Sequence, residues 1–196
     1  SRFFLNKTSI EDKRRDNFVT NKYLIFAILS LFFIFFSNNA SAEDGLISKE
    51  EFIEKAFGES DISKGKLRFK EEVKTTAQKI MGSRYKKILM RYWIEGNRTA
   101  WILNRIGKVK PITAGFIIED CKIVSVHVLV YRESHGWEIK YPSFRDQFGG
   151  VGMQKNLKLD KSIDGISGAT MSVSSMRIMT RLALAMNELV PDIKCL

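Results

Sequence analysis

The sequence predicts an α+β fold: a central antiparallel sheet packed by helices, in a single domain that follows an N-terminal leader. Three observations carry this prediction. Two hairpin signals follow one another in the middle of the chain, amphipathic helical patterns flank them, and no internal repeat or low-complexity linker interrupts the whole.

The elements can be justified in order. Ser48-Lys49-Glu50-Glu51 is a capping box, with Ile47 and Phe52 spaced as a hydrophobic staple. It predicts a short helix from Lys49 to Phe57, closed by Gly58. Asp61 to Lys66 reads as a polar connection. A second helix is expected over Lys70 to Met81, because Val73, Ala77, Ile80 and Met81 share one face and Gly82 stops the pattern. Residues 43–84 are therefore expected to form a helical N-terminal segment.

Ile88 to Glu95 and Arg98 to Asn104 flank Gly96-Asn97, a hairpin signal. Lys108-Val109-Lys110-Pro111 breaks the strand pattern. A second hairpin is expected from Ile112 to Glu119 and Lys122 to Tyr131, around Asp120-Cys121. Its second strand carries the β-branched run Ile123, Val124, Val126, Val128 and Val130, with His127 and Leu129 interleaved. Glu133 to Gly152 reads as a long functional loop, since compact domains rarely carry idle loops of that length. The last helix is expected from about Met171 to Leu189, where Met176, Met179, Leu182, Ala183, Met186 and Val190 line one face and Pro191 follows.

Composition narrows the class. The chain has 196 residues, 44% hydrophobic and 28% charged, enough for one domain with a real core. Lys13, Arg14, Arg15 and Lys22 precede an apolar run from Tyr23 to Phe36, and Ser37-Asn38-Asn39-Ala40-Ser41-Ala42 follows. This is the pattern of a signal peptide over residues 1–42, with an uncleaved N-terminal anchor as the other reading. Either way, the domain over residues 43–196 is expected outside the cytoplasm. Six of the 32 basic and three of the 22 acidic residues lie in the leader, so the rest carries a net charge of +7. A basic exported domain suits anionic lipid or an acidic partner protein, or simply has a solvated basic surface. Export argues against nucleic acid as the partner. Export would also permit a disulfide between Cys121 and Cys195, although nothing in the sequence fixes their distance. Two scattered histidines and two scattered cysteines do not make a metal site, and no phosphate-binding loop or nucleophilic triad occurs.

The most informative stretch is Asp164-Gly165-Ile166-Ser167-Gly168-Ala169-Thr170. It places a hydroxyl after two nearly side-chain-free residues at the mouth of the final helix. Unpaired backbone N–H groups and the positive end of the helix dipole favour a phosphate there.

Asp-x-x-Ser-Gly-Ala-Thr resembles the flavinylation motif of FMN-binding domains, similar to the subunits of sodium-pumping quinone reductases and Rnf complexes that carry FMN on a threonine. The resemblance extends from about Ile88 to Leu189. Further blocks are Gly107-Lys108-Val109-Lys110-Pro111-Ile112-Thr113, Tyr131-Arg132-Glu133-Ser134-His135-Gly136-Trp137-Glu138 and Phe144-Arg145-Asp146-Gln147-Phe148. Where the pump subunits read closer to Glu-Thr-Pro-Gly, this chain has Glu-Ser-His-Gly at 133–136, which suggests a secreted branch and puts the pump function itself in question.

The resemblance implies FMN as cofactor, joined by a phosphodiester to Thr170 by a separate FAD- and Mg-dependent flavin transferase. It maps the rest of the motif onto Asp164, Ser167, Gly168 and Ala169. Asp164 could orient the loop or assist the transfer, or simply cap the helix; Ser167 could donate to a phosphate oxygen or cap locally. Candidate walls for the flavin ring are Trp137, Tyr131 and Phe148, although such aromatics are more often plain core than cofactor wall. Glu138 and Glu133 could bond the ribityl chain or ring edge, and Arg132 could pair the phosphate or an anionic reduced ring; all three could also be ordinary surface charges. His135 belongs to the loop and could touch the flavin, whereas His127 reads as a sheet residue.

The function expected is an exported electron carrier in the periplasm or on the outer face of the cytoplasmic membrane. It would relay electrons between membrane redox partners and other carriers or reductases, as an electron-transfer flavoprotein rather than a free-standing enzyme. A non-catalytic FMN-binding sensor or scaffold module in the cell envelope is the alternative.

Overall fold

The computed structural model describes residues 46–82 and 85–195; the expected leader over 1–42 lies outside them. The described elements belong to one unit, residues 44–196. Five strands form one sheet in the order β1-β2-β3-β4-β5, every neighbouring pair antiparallel: β1 (Ser63–Arg68), β2 (Leu89–Glu95), β3 (Arg98–Ile106), β4 (Pro111–Glu119) and β5 (Lys122–Val130). Helices α1 (Lys49–Phe57), α2 (Glu71–Met81) and α4 (Thr170–Glu188) pack on it, and a single helical turn, α3 (Pro142–Arg145), lies in the connection after β5. The fold is α+β with a central antiparallel sheet. No helix among the described residues is long and apolar enough to cross a membrane.

The sheet separates two cores. On one face α2 and α4 cover Trp101, Leu103, Ile112, Ala114, Phe116 and Ile118 with Val73, Ala77, Ile80, Met176, Met179 and Ala183. On the other, α1 places Phe52, Ala56 and Phe57 over Ala100 and Ile117. Phe52 reaches the bare backbone of Gly115, where a Cβ would come within 2.5 Å of its ring. Helix α1 starts at the Ser48 cap, whose Oγ accepts from the Glu51 N–H at 3.0 Å.

Two regions depart from expectation. The polar connection at Asp61 to Lys66 is largely strand: β1 pairs with β2 from Ser63↔Ile94 to Arg68↔Leu89. Residues 43–84 are therefore not purely helical. Only Leu67 of β1 is buried, so the strand shows almost no apolar alternation. Its Lys64 and Lys66 are the charged residues typical of a sheet edge.

The long loop at 133–152 is also more ordered than a loop. It folds into a 3-10 turn (Trp137–Lys140), α3 and a second 3-10 turn (Asp146–Phe148), anchored by buried Ile139, Phe144 and Phe148. It then returns along β5, where Gly150 N–H donates to the Ile123 carbonyl at 2.7 Å and Ile123 N–H to that of Val151 at 2.8 Å.

The β4–β5 turn places both Asp120 (φ 49°) and Cys121 (φ 59°) in the left-handed region, as a two-residue hairpin requires. Cys121 is bonded to Cys195 through a disulfide with Cα atoms 5.3 Å apart, a pairing the sequence left open. The clasp is reinforced by Asn97 in the β2–β3 turn. Its Nδ2 donates to Asp120 and to the Lys194 carbonyl (2.9 Å), and its Oδ1 accepts from the Lys194 N–H (3.0 Å).

A candidate flavin site at the start of the last helix

Helix α4 begins at Thr170 with no side-chain cap. The first backbone bond at its mouth runs from the Val173 N–H to the Ala169 carbonyl at 3.0 Å. The N–H groups of Thr170, Met171 and Ser172 have no acceptor among the described residues. Helix starts leave such donors, and natural sequences usually answer them with Ser, Thr, Asp or Asn. Here Ala169 holds the cap position instead. The preceding turn is closed by Ala169 N–H to the Ile166 carbonyl (3.0 Å), with Gly168 at φ 78°. That conformation suits glycine, and it leaves the approach to Thr170 free of side chains.

Three segments meet around this helix start to form a cavity of about 450 Å³. The volume lies within the range of small-ligand sites. The motif contributes Gly168, Ala169, Thr170, Met171 and Ser172; the β3–β4 turn contributes Lys108 and Val109; the chain after β5 contributes Glu133, Ser134 and His135.

Hydrogen bonds hold the segments in register. One carboxylate oxygen of Glu133 accepts from three consecutive backbone amides, those of Lys108 (2.6 Å), Val109 (2.7 Å) and Lys110 (2.9 Å). These bonds, Val109's foremost, hold the Glu133 carboxyl below the usual glutamate range. The Tyr131 hydroxyl donates to the His135 carbonyl and lies 3.2 Å from Ser172 Oγ; burial raises its pKa. Gly136, at φ 83°, sits so close to α4 that a Cβ would meet Ser172 Oγ, Tyr131 Oη and Ala169 Cβ at 3.0–3.1 Å. Farther back, the Asp164 N–H donates to Gln147 Oε1 at 2.7 Å, tying the motif to the second 3-10 turn.

Thr170, Ala169 and Gly168 thus line the cavity, with the Thr170 side chain exposed. Ser167 and Asp164 are exposed in the approach to the helix and outside the lining. Tyr131 stands one bond behind the lining, through His135 and Ser172. Trp137, 45% exposed, packs edge-on against Tyr141 away from the lining, and Arg132 is an exposed side chain outside it. Glu138 is half-buried, and its Oε2 is a buried acceptor with no donor among the described residues.

One of the candidate walls is core. Phe148 is fully buried against Phe144 and belongs to the core, not to a cofactor wall. Glu133 lines the cavity and gives one carboxylate oxygen, Oε1, to the β3–β4 turn.

His127 is the sheet residue it was read as. Arg145 donates to its Nδ1 at 2.9 Å and its Nε2 lies 3.1 Å from Ser125 Oγ; burial, then the charge of Arg145, lowers its pKa to about 4. No cluster of His, Cys, Asp or Glu among the described residues could hold a metal ion.

Sequence reasoning did not single out Val109, Met171 or Ser172. Val109 is 70% and Met171 54% exposed, although both are large apolar residues. Apolar side chains exposed together at a cavity mark a surface that takes a ligand or partner. The available signal was their position: Met171 follows the motif threonine, and Val109 lies in one of the blocks already noted.

Residues 107–185 match the family model of the FMN-binding domain. The match contains every residue that lines the cavity and leaves β1, β2 and β3 outside. No curated protein matches the chain. Residues 107–185 are an FMN-binding domain, and FMN is the cofactor it indicates. The site's chemistry agrees: uncapped amides and Lys108 suit a phosphate, and exposed Val109 and Met171 suit a flat apolar ring.

Proposed function

We propose that this protein is an exported flavoprotein electron carrier holding FMN covalently on Thr170. The observation that carries the reading is the exposed Thr170 hydroxyl at an uncapped helix mouth, inside a cavity of ligand size. A phosphodiester at that oxygen leaves one anionic charge beside the unpaired amides of Met171 and Ser172, at the positive end of a nineteen-residue helix. Maturation would need a flavin transferase using FAD and Mg: the Thr170 Oγ–P bond forms, the P–O bond to AMP breaks, AMP leaves, and the hydroxyl proton passes to solvent or to the transferase.

Bound FMN supplies one- and two-electron transfer. The chain's own residues position it. Glu133 fixes the Lys108–Lys110 backbone, Tyr131 fixes the 133–136 segment, and Gly168 keeps the approach open. The disulfide supports export, because such bonds persist in oxidising compartments. The redox partners would then be membrane proteins facing the periplasm, with the domain periplasmic or on the outer face of the cytoplasmic membrane.

The test is the mass of denatured, washed protein after expression with and without a flavin transferase. One added FMN on the peptide containing Thr170, absent in Thr170→Val, is the expected result. A colourless matured protein at unmodified mass, or full covalent flavin on the Val variant, rejects the reading.

A further inference from the structure

A second concavity, of about 510 Å³, lies beside the motif and has no role in the site above. Its wall is the outer face of α4, with Ser174, Arg177 and Arg181, and its other side is the chain before the motif, with Lys158 and Lys161. We propose that this groove docks an acidic protein surface, which under the carrier reading is that of a redox partner.

The charge pattern argues first. Four cations line the groove and no carboxylate does. None of the four forms an ion pair with a described residue. The nearby Asp160 is engaged elsewhere: its Oδ1 accepts from the Gly152 N–H at 2.9 Å. Like charges gathered without counter-charge repel one another, and an acidic partner relieves that repulsion.

The arginines are held in place, not merely gathered. Arg177 donates to the Ile163 carbonyl, and Arg181 Nε to that of Leu157 at 2.6 Å. Each guanidinium keeps further N–H donors for a carboxylate fork. Both arginines are half-buried, while Lys158 and Lys161 are exposed at the rim. A protruding Asp or Glu reaches donors set back in a concave wall. A bilayer presents a plane of headgroups and meets the lysines first, so the shape favours protein over membrane.

Position argues last. Thr170, Ser174, Arg177 and Arg181 are spaced i, i+4, i+7, i+11, which places them on one stripe of α4. At about 1.5 Å of rise per residue, Arg177 lies about 10 Å along the helix from Thr170. A partner seated in the groove therefore sits beside the flavin attachment point without covering it.

The test uses the matured full chain and a fluorescein-labelled polyglutamate peptide, read by anisotropy across a salt series. Lys158→Gln/Lys161→Gln is the primary variant, because neither lysine side chain makes a hydrogen bond to a described residue; Arg177→Gln/Arg181→Gln is the second. Each is expected to weaken binding about tenfold and flatten the salt dependence. Lys64→Gln/Lys66→Gln on β1 removes the same charge elsewhere and is expected to leave binding within about twofold.

Equal weakening by the β1 variant would reduce the effect to net charge and overturn the proposal. So would groove-dependent binding to phosphatidylglycerol vesicles without binding to the peptide. Loss of covalent FMN in the folded lysine variant would assign the groove to the cofactor and overturn it as well. Flavin mass and peptide binding are separate readouts: groove-dependent peptide binding without FMN on Thr170 would reject the carrier and keep the docking surface.

Discussion

The two ends of helix α4 are treated in opposite ways. At the C-terminal end a buried polar network is closed inside the protein. Buried Asn187 accepts from Thr99 Oγ1 (2.5 Å), which itself accepts from Trp101 Nε1 (2.9 Å), and Asn187 Nδ2 lies 3.7 Å from Cys121 Sγ. The disulfide and the Asn97 clasp then fix the chain just beyond. At the N-terminal end, three amides and a threonine hydroxyl are left facing a cavity. Every helix begins with the same unmet donors. One end of this helix carries stability; the other is left free for a ligand.

The largest test of that division is Thr170→Ala. Covalent FMN is expected to vanish completely in the mass spectrum. The thermal midpoint of the flavin-free protein is expected to stay put, because substitution of an exposed helix-start side chain that makes no cap costs within about 0.5 kcal/mol. A large drop in stability would show that Thr170 is structural and would dissolve the contrast.

Reducing the disulfide attacks the opposite end. Cys121 and Cys195 are 74 residues apart, and for such a loop the chain-entropy estimate is about 4 kcal/mol. Denaturant unfolding with and without reductant measures it. Asn187→Ala is expected to cost about 3 kcal/mol, since it leaves a cavity and an unsatisfied Thr99 hydroxyl in the core. Below the unfolding transition, both altered proteins are expected still to accept FMN. Loss of flavinylation from a folded Asn187→Ala protein would mean that the ends are coupled.

How much of this was legible in the sequence follows the same division. The hairpins, α4 and the motif were readable because each repeats a local rule several times: paired strands around Gly96-Asn97 and Asp120-Cys121, a stripe of Met, Leu and Ala, glycine before a helix. β1 was not, because Leu67 is its one buried residue and alternation needs more than one. The turns at 137–148 are too short to show a period, although Ile139, Phe144 and Phe148 hold them down. The disulfide depended on a distance that only the sheet supplies.

At the site, the motif, Glu133 and His135 were visible, but Val109, Met171 and Ser172 were not singled out. Val109 and Met171 read as ordinary apolar residues until the fold leaves them exposed. Phe148 suffered the reverse: aromatic and close to the motif, it is wholly core. The three-amide grip of Glu133 joins residues 23 to 25 positions apart, which no local pattern announces.

Gly168→Ala sharpens the contrast with a smaller effect. The added Cβ meets no atom within 4 Å, so the cost is conformational alone, about 1–2 kcal/mol for a non-glycine residue at φ 78°. Asn187→Ala costs more stability and spares the flavin. Gly168→Ala is expected to cost less and to slow flavinylation, because relaxing the strain moves Thr170. Chemical denaturation together with the time course of FMN incorporation checks both halves.

The smallest effect concerns pH at the cavity's rim. The Lys108, Val109 and Lys110 amides donate to one Glu133 oxygen, and these bonds favour its ionised form. The folded pKa therefore lies below the unfolded one. The stabilisation is complete above the unfolded value, near 4.5, and is lost as pH falls through the lower folded value. NMR amide shifts of Lys108, Val109 and Lys110 are expected to move together with a single midpoint below 4.5. In Glu133→Gln that shared transition disappears, and faster exchange of the Val109 amide at constant pH reports a loosened turn. At the other end of α4, the Trp101 indole N–H bonds Thr99 in a side-chain network that contains no carboxylate, and its signal is expected to stay flat over the same range. Three rim amides titrating with different midpoints would mean that Glu133 does not grip the turn as one unit, and the cavity would then lose the anchor that sets Lys108 and Val109 against Thr170.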